Sequence, residues 1–219
     1  MASANNTGSK LILGLVVVAV LAVAGYFFYN KSSEKADQAK VGAESTALAE
    51  NIMGEDDAPV TIIEYSSMTC PHCAVFHKET LPGLKKNYIK TGKVKYILRE
   101  FPLDQLAAAA FMLGRCLDKK DGYFDFIDML YERQREWAFS EDRIGSLKNL
   151  AKQAGFTDES FKACLDDKAL YAQVLAVKNN GTEEFRIRST PTFFVNGTRL
   201  EGAQSLADFE KLIKPIAGE

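Results

Sequence analysis

The sequence predicts an α/β domain that is interrupted by a long helical insertion and preceded by an apolar N-terminal helix. Three observations lead to this prediction. Strand-like apolar runs occur at Val60–Tyr65 and Lys93–Arg99 and return only at Ser189–Thr198. Most of the chain from Asp104 to about Phe185 has helical patterning instead. Residues 11–29 form one continuous uncharged run.

Composition limits the possible classes of protein. The chain has 219 residues, of which 47% are hydrophobic, so it can form one domain of ordinary size plus an appendage. The formal net charge is −2 and the pI is near 5.8. Because nucleic acid is bound mainly by basic surfaces, this charge balance excludes a nucleic-acid-binding protein.

The N-terminal run 11–29 would be about 28 Å long as a helix, which is close to the ~30 Å hydrocarbon core of a bilayer. We expect a transmembrane anchor, with residues 1–10 as a cytoplasmic tail and 30–50 as a juxtamembrane spacer. The alternative is a signal peptide, because Ala22–Ala24 resembles a processing site. The aromatic residues Tyr26–Tyr29 continue past that site and suit a membrane interface, which favours an uncleaved anchor.

A C-x-x-C unit follows the first strand directly. Cys70 and Cys73 enclose Pro71 and His72, and the proline suits the first position of a helix. The N-terminus of a helix stabilises a thiolate, so Cys70 is the expected nucleophile and Cys73 the residue that resolves a mixed disulfide. His72 can donate a hydrogen bond to the Cys70 sulfur, and each pKa unit of thiolate stabilisation is worth ~1.4 kcal/mol, or roughly 30 mV. We therefore expect an oxidising disulfide.

A C-x-x-C unit can also be half of a zinc site. Zinc needs four ligands, and the sequence has no second C-x-x-C and only two histidines, His72 and His77. A Cys/His metal site remains an alternative on this evidence. We expect His77 and its neighbour Lys78 to lie at the surface rather than to take part in catalysis.

Glu64 is an acidic residue within the first apolar strand, six residues before Cys70. Strand alternation places it on the same side as Ile62 and Ser66. Burial favours the protonated form of a carboxylate, so a buried Glu64 could pass protons to and from Cys73. The alternative is a solvent-facing residue at the edge of the sheet.

The helix that begins at Pro71 should extend toward Ile89, with a kink or break at Leu81-Pro82-Gly83. Val75, Leu84 and Tyr88 are its expected core residues. Residues 51–59 supply turn residues before the first strand.

The helical insertion is assigned to 104–185, with 51–103 and 186–219 forming the α/β domain. Asp104, Ser140 and Thr157 are expected helix caps. The insertion contains Cys116 and Cys164. A disulfide between them would contribute about 4 kcal/mol by loop closure, and the alternative is two buried free thiols.

After the insertion, Pro191 is placed at the start of a strand, where its missing N–H does not interrupt the hydrogen bonds between strands. The peptide bond before it can be cis. Asn196-Gly197 predicts a hairpin turn. Ser205 with Asp208 predicts the start of the last helix.

Over roughly residues 50 to 219, the sequence resembles the DsbA-like branch of the thioredoxin superfamily. The resemblance lies in Glu64, the Cys70-Pro71-His72-Cys73 motif, the helical insertion and the strand segment that begins with Thr190-Pro191-Thr192-Phe193. The resemblance implies a thioredoxin fold interrupted by a helical domain. It also implies that Pro191 is cis and faces the cysteines, that Cys70 attacks, and that Glu64 is a buried carboxylate. We expect no cofactor.

The expected function is a membrane-anchored thiol:disulfide oxidoreductase that donates the Cys70–Cys73 disulfide to exported proteins with free cysteines. A quinone-linked, DsbB-like membrane oxidase would regenerate the disulfide. The expected location is a bacterial inner membrane, with the catalytic domain in the periplasm. One alternative is a disulfide isomerase or reductase that is kept reduced and forms an oligomer. Another is a Cys/His metal-binding carrier.

Overall fold

The computed structural model of the chain describes residues 48–117 and 122–218. The expected tail at 1–10, the anchor at 11–29 and the spacer up to residue 47 lie outside these ranges, and so do residues 118–121. Within the described ranges, every helix is too short or too polar to cross a membrane.

The core of the molecule is a five-stranded mixed sheet with the order β1-β3-β2-β4-β5. Its central strands β2 and β3 are parallel, and the other three pairings are antiparallel. The strands are β1 (Asn51–Met53), β2 (Val60–Ser66), β3 (Val94–Glu100), β4 (Thr192–Val195) and β5 (Thr198–Glu201).

The central strands are buried along almost their whole length, which explains why both are apolar runs. The edge strand β1 was not expected, because 51–59 was predicted to be turn residues. Asn51 pairs with Leu98 of β3, and its side chain donates a hydrogen bond to Glu100. A strand of three residues is too short to show an alternating pattern.

The connection from β2 to β3 contains one continuous helix, α1. It consists of α-helical segments Pro71–Val75 and Leu81–Leu84 that alternate with π-helical segments Phe76–Thr80 and Lys85–Ile89. The helix does not break at Pro82, and the wide π-helical turn Phe76–Thr80 precedes the segment that contains the proline.

The expected core residues of α1 divide into two groups. Leu84 and Tyr88 are buried as expected. Val75 is exposed, so its assignment to the core was wrong.

The helical insertion lies between β3 and β4, as the sequence predicted. Its helices are α2 (Gln105–Arg115), α3 (Gly122–Glu132), α4 (Gln134–Trp137), α5 (Arg143–Gln153), α6 (Asp158–Asp166) and α7 (Lys168–Glu183). Asp104 caps α2, and Thr157 forms a capping box with Ser160 at α6, so both predictions are confirmed. The N-cap of α5 is Asp142 rather than Ser140.

Two features organise the insertion: one joins two of its helices to each other, and the other brings it close to the sheet. A disulfide joins Cys116, at the C-terminal end of α2, to Cys164 in α6. Near the end of the insertion, a Cβ added to Gly181 of α7 would lie 2.7 Å from the Tyr65 ring of β2. Glycine therefore lets α7 approach the sheet closely.

The chain returns to the sheet through β4 and β5. Asn196 and Gly197 both have positive φ, as a two-residue hairpin turn requires, so the predicted hairpin is confirmed. Ser205 caps the last helix, α8 (Leu206–Ala217), which contacts β2 and β4.

Candidate active site

Cys70 is the N-cap residue of α1, and Pro71 follows it in the first turn. The proline has no N–H to leave unsatisfied, while the backbone N–H groups of His72 and Cys73 are directed at the Cys70 sulfur. The cysteine is 5% exposed, and its neighbours Pro71 and His72 are exposed. The sulfur therefore lies just beneath the surface at the positive end of a helix.

This environment lowers the pKa of the Cys70 thiol from 9.0 to about 5. The hydrogen bond from the Cys73 thiol is the largest cause, and burial opposes it. The Thr190 side chain and the backbone N–H groups of Cys73 and His72 stabilise the thiolate further. Near neutral pH, Cys70 is therefore a thiolate.

Cys73 has the opposite environment. It is fully buried, and burial is the main cause that raises its pKa well above 9.0. The hydrogen bond that it gives to Cys70 and the nearby charge of Glu64 act in the same direction. Cys73 therefore keeps its proton while Cys70 is ionised. Both cysteines are free thiols in the structure.

The loop before β4 closes the site opposite the helix. The Thr190–Pro191 peptide bond is cis, as the resemblance implied. The thiol form of Cys70 donates a hydrogen bond of 3.2 Å to the Thr190 carbonyl. The Thr190 hydroxyl is buried and has no hydrogen-bond partner among the residues that the structure describes. It is therefore free to donate to the Cys70 sulfur once the thiol ionises.

Glu64 lies on β2 beneath the cysteines and is completely buried. Its Oε1 accepts a hydrogen bond of 2.6 Å from Ser66, and its Oε2 accepts one from the Tyr96 hydroxyl. His77 Nε2 lies 3.1 Å from the same Oε2. The carboxylate is thus the centre of a buried polar cluster and is not a solvent-facing edge residue.

His77 belongs to this cluster, so the expectation that it lies at the surface was wrong. Its ring is buried between Glu64 and Asp128 of α3, and its Nδ1 lies 3.5 Å from Asp128 Oδ1. Lys85 pairs with the same aspartate. His77 lies in a π-helical turn, an irregularity that the residue pattern does not reveal. Its neighbour Lys78 is exposed as expected.

Gln134 of α4 is a second residue that the sequence did not identify. It is buried, and its Nε2 donates hydrogen bonds of 2.8 and 2.9 Å to the carbonyls of Met68 and Cys70. Thr69 beside them donates a hydrogen bond of 2.8 Å to Asp104. The insertion therefore holds the turn that presents Cys70.

His72 contributes to the site through its backbone N–H, while its side chain is exposed next to Cys70. The hydrogen bond from its imidazole to the sulfur stays a prediction. Across residues 48–117 and 122–218, no group of three or more His, Cys, Asp or Glu side chains is arranged to hold a metal ion. The metal-carrier alternative therefore has no candidate site in this part of the chain.

A mixed sheet with a thiolate-stabilising C-x-x-C helix, opposed by a cis-proline loop, is an arrangement suited to thiol–disulfide exchange. The family model described as Thioredoxin matches residues 46–215. The chain belongs to the thioredoxin family, in its DsbA-like group of protein-disulfide oxidoreductases.

Individual relatives agree with this assignment. The chain is 30% identical over 226 residues to a Bacillus anthracis protein named "Probable disulfide bond formation protein D", covering 98% of each chain. It is 34% identical over 150 residues to a Rickettsia bellii protein whose name places it among protein-disulfide oxidoreductases, covering 68% of this chain and only 58% of the relative. The solved structure of Wolbachia pipientis alpha-DsbA1 superposes with a TM-score of 0.72 at 29% identity, covering 77% of this chain and 91% of that one.

Proposed function

We propose that this protein is a membrane-anchored thiol:disulfide oxidase that transfers the Cys70–Cys73 disulfide to cysteines of exported proteins. The observation that carries the proposal is the place of the Cys70 sulfur at the N-terminus of α1, opposite the cis-Pro191 loop and beside the buried Cys73, where the pKa of Cys70 is lowered to about 5 and that of Cys73 is raised. Stabilising the thiolate stabilises the reduced pair, so the disulfide form gives up its bond readily.

The size of this effect follows from the pKa of Cys70. At pH 7 a thiol with a pKa of about 5 instead of 9.0 stabilises the reduced form by about 3 kcal/mol, which is about 60 mV for a two-electron couple. A bias of this size favours oxidation of substrates over their reduction. It supports the oxidase over an isomerase that is kept reduced.

The anchor and the location belong to the same proposal. The uncharged run 11–29 has the length of a membrane span, and an oxidising dithiol functions outside the reducing cytosol. We place the catalytic domain in the periplasm, attached to the inner membrane, with residues 1–10 in the cytoplasm. A quinone-linked, DsbB-like oxidase in the same membrane would accept the two electrons that each turnover leaves on the cysteines.

The activity is tested by mixing the oxidised full-length protein with a reduced dithiol peptide. The wild-type protein should oxidise the peptide, and its reduction potential should be well above the approximately −270 mV of thioredoxin. Cys70→Ser should abolish transfer. In the reverse direction, the reduced Cys73→Ser variant should accumulate a mixed disulfide with an oxidised peptide. Equal behaviour of the two variants, or a potential near that of thioredoxin, would contradict the proposal.

The location is tested in a bacterial host that expresses the full chain. A thiol reagent that cannot cross the inner membrane should label the reduced Cys70 in intact spheroplasts, and the protein should sediment with membranes. Deletion of 11–29 should release it from the membrane fraction. Labelling only after lysis would place the active site in the cytoplasm and refute this part of the proposal.

A further inference from the structure

Cys73 faces a proton-transfer problem that the C-x-x-C motif does not solve. Its sulfur is fully buried and has a raised pKa, so it must gain a proton when the disulfide opens and lose it when the disulfide re-forms. Cys70 cannot supply this proton, because it remains a thiolate near neutral pH. The proton must therefore travel through the protein.

A chain of polar side chains leads from Cys73 to the surface. Ser66 forms a hydrogen bond with Cys73 and donates one of 2.6 Å to Glu64. Glu64 Oε2 lies 3.1 Å from His77 Nε2, and His77 Nδ1 lies 3.5 Å from Asp128 Oδ1. The Asp128 side chain is 38% exposed, whereas those of Glu64 and His77 are 0% and 1% exposed.

We propose that His77 is the relay residue that passes a proton between Asp128 at the surface and Glu64 beneath the cysteines, so that Cys73 is protonated and deprotonated from behind the active site. The inference rests on the proposed disulfide exchange. His77 acts through Glu64 and does not touch the sulfur atoms.

The surroundings of His77 fit this role. The ionisable groups around it are Glu64 from β2, Asp128 and Tyr131 from α3, and Lys85 on α1, which binds Asp128. Burial opposes charge on the ring, but the two carboxylates outweigh it and raise the pKa of His77 above 6.5. The imidazole can therefore hold a transferable proton near neutral pH.

The redox cycle balances with this relay. A substrate thiolate attacks the Cys70 sulfur and breaks the Cys70–Cys73 bond, and Cys73 leaves as a thiolate. The Cys73 thiolate takes a proton that reaches it from the protonated His77 ring through Glu64 and Ser66, and Asp128 passes a proton from the solvent back to His77. The second substrate thiolate then attacks the mixed disulfide, and Cys70 leaves as a thiolate. Two electrons reach the cysteine pair, and the substrate gains one disulfide bond.

The direction of proton transfer reverses when the enzyme is reoxidised. The Cys73 thiol then releases its proton to Glu64, and His77 passes it outward to Asp128. A histidine that takes a proton at Nδ1 and delivers one from Nε2 ends in its other tautomer. Because the outward transfer restores the first tautomer, the ring does not need to turn over between cycles.

The test measures single-turnover oxidation of a dithiol peptide by the full-length oxidised protein between pH 5 and pH 8. We expect His77→Asn to be about tenfold slower at pH 7, which is modest for loss of a general acid. The deficit should be small at pH 5, where solvent protons are abundant, and should grow toward pH 8. Asp128→Asn should change the rate in the same direction. The matched control is Asp158→Asn, which removes the same charge from an exposed ion pair on α6.

Chemical rescue separates a relay from a structural role. His77→Gly leaves a cavity beside Glu64, and added imidazole should restore its rate in a concentration-dependent way. If the His77→Gly protein folds but its oxidation rate does not rise with added imidazole, the relay is overturned. If this variant does not fold, His77→Asn decides: a wild-type rate, or a deficit that is equal at every pH, overturns it. A wild-type protein that oxidises no peptide would instead refute the proposed function.

Discussion

At the scale of single residues, the functional difference between Cys70 and Cys73 comes from their places on the same helix turn. Cys70 precedes the first turn and receives backbone N–H groups, whereas Cys73 lies inside the turn and faces the buried Glu64. One sulfur is therefore stabilised as an anion, and the other is held as a thiol. This asymmetry supports the proposed roles, in which Cys70 attacks the substrate and Cys73 resolves the mixed disulfide.

The Thr190 hydroxyl provides a test of this asymmetry. Thr190→Val keeps the shape of the side chain but removes a donor to the Cys70 thiolate, so the pKa of Cys70 should rise by about one unit. The reduction potential should fall by about 30 mV. Ultraviolet absorbance of the thiolate against pH measures the first effect, and equilibration with glutathione measures the second.

Thr192→Val is the matched control, because the Thr192 hydroxyl donates instead to the Ser189 carbonyl. It should leave the pKa of Cys70 unchanged. An unchanged titration of Cys70 in Thr190→Val would show that the threonine hydroxyl does not reach the thiolate.

At the scale of elements, the insertion supports the active-site turn through Gln134 of α4. Gln134→Ala would leave the carbonyls of Met68 and Cys70 buried without their donor, so it should lower the free energy of unfolding by about 2 kcal/mol. Urea unfolding of the full-length protein measures this loss. Gln153→Ala, which removes an exposed partner of Arg133, should change stability by less than about 0.5 kcal/mol. Similar losses in both variants would mean that the turn does not depend on Gln134.

The elements that could be predicted from the sequence are those specified by neighbouring residues. The C-x-x-C helix start, the Asn196-Gly197 turn and the cap at Thr157 are local signals, and each forms as expected. Gln134 lies 64 residues from the carbonyl of Cys70 that it binds. His77 is buried because α3 covers it with Asp128. Contacts of this kind depend on how elements pack, so a local pattern does not contain them.

At the scale of the whole molecule, the Cys116–Cys164 disulfide stabilises the insertion without forming part of the active site. It closes a loop of 48 residues, so replacing both cysteines with alanine should cost about 4 kcal/mol of unfolding free energy. Disulfide transfer by Cys70 should continue at the wild-type rate below the unfolding transition. Urea unfolding and peptide oxidation on the same samples check both statements. Loss of transfer in a folded double variant would show that the two sites are coupled.

The redox state of the active site should also change global stability in a pH-dependent way. The pKa of Cys70 is about 5 in the folded reduced protein and 9.0 as an ordinary thiol. Because the folded pKa is depressed, the stabilisation is complete above pH 9.0, declines as pH falls, and is lost below about pH 5. Cys73 adds no pH dependence between pH 5 and pH 7, because it is protonated there in both the folded and unfolded states.

The disulfide form has no Cys70 thiol to titrate, so the difference in stability between the two redox forms isolates this effect. The free energy of unfolding of the reduced form, minus that of the oxidised form, should fall by about 2 kcal/mol between pH 7 and pH 5. Urea unfolding of the full-length protein, with only the Cys70–Cys73 bond reduced, measures the difference. Reduced Cys70→Ser should lose this dependence on pH. A difference that stays constant in the wild-type protein would mean that Cys70 titrates like an ordinary thiol, and the oxidising character of the site would then lack its physical cause.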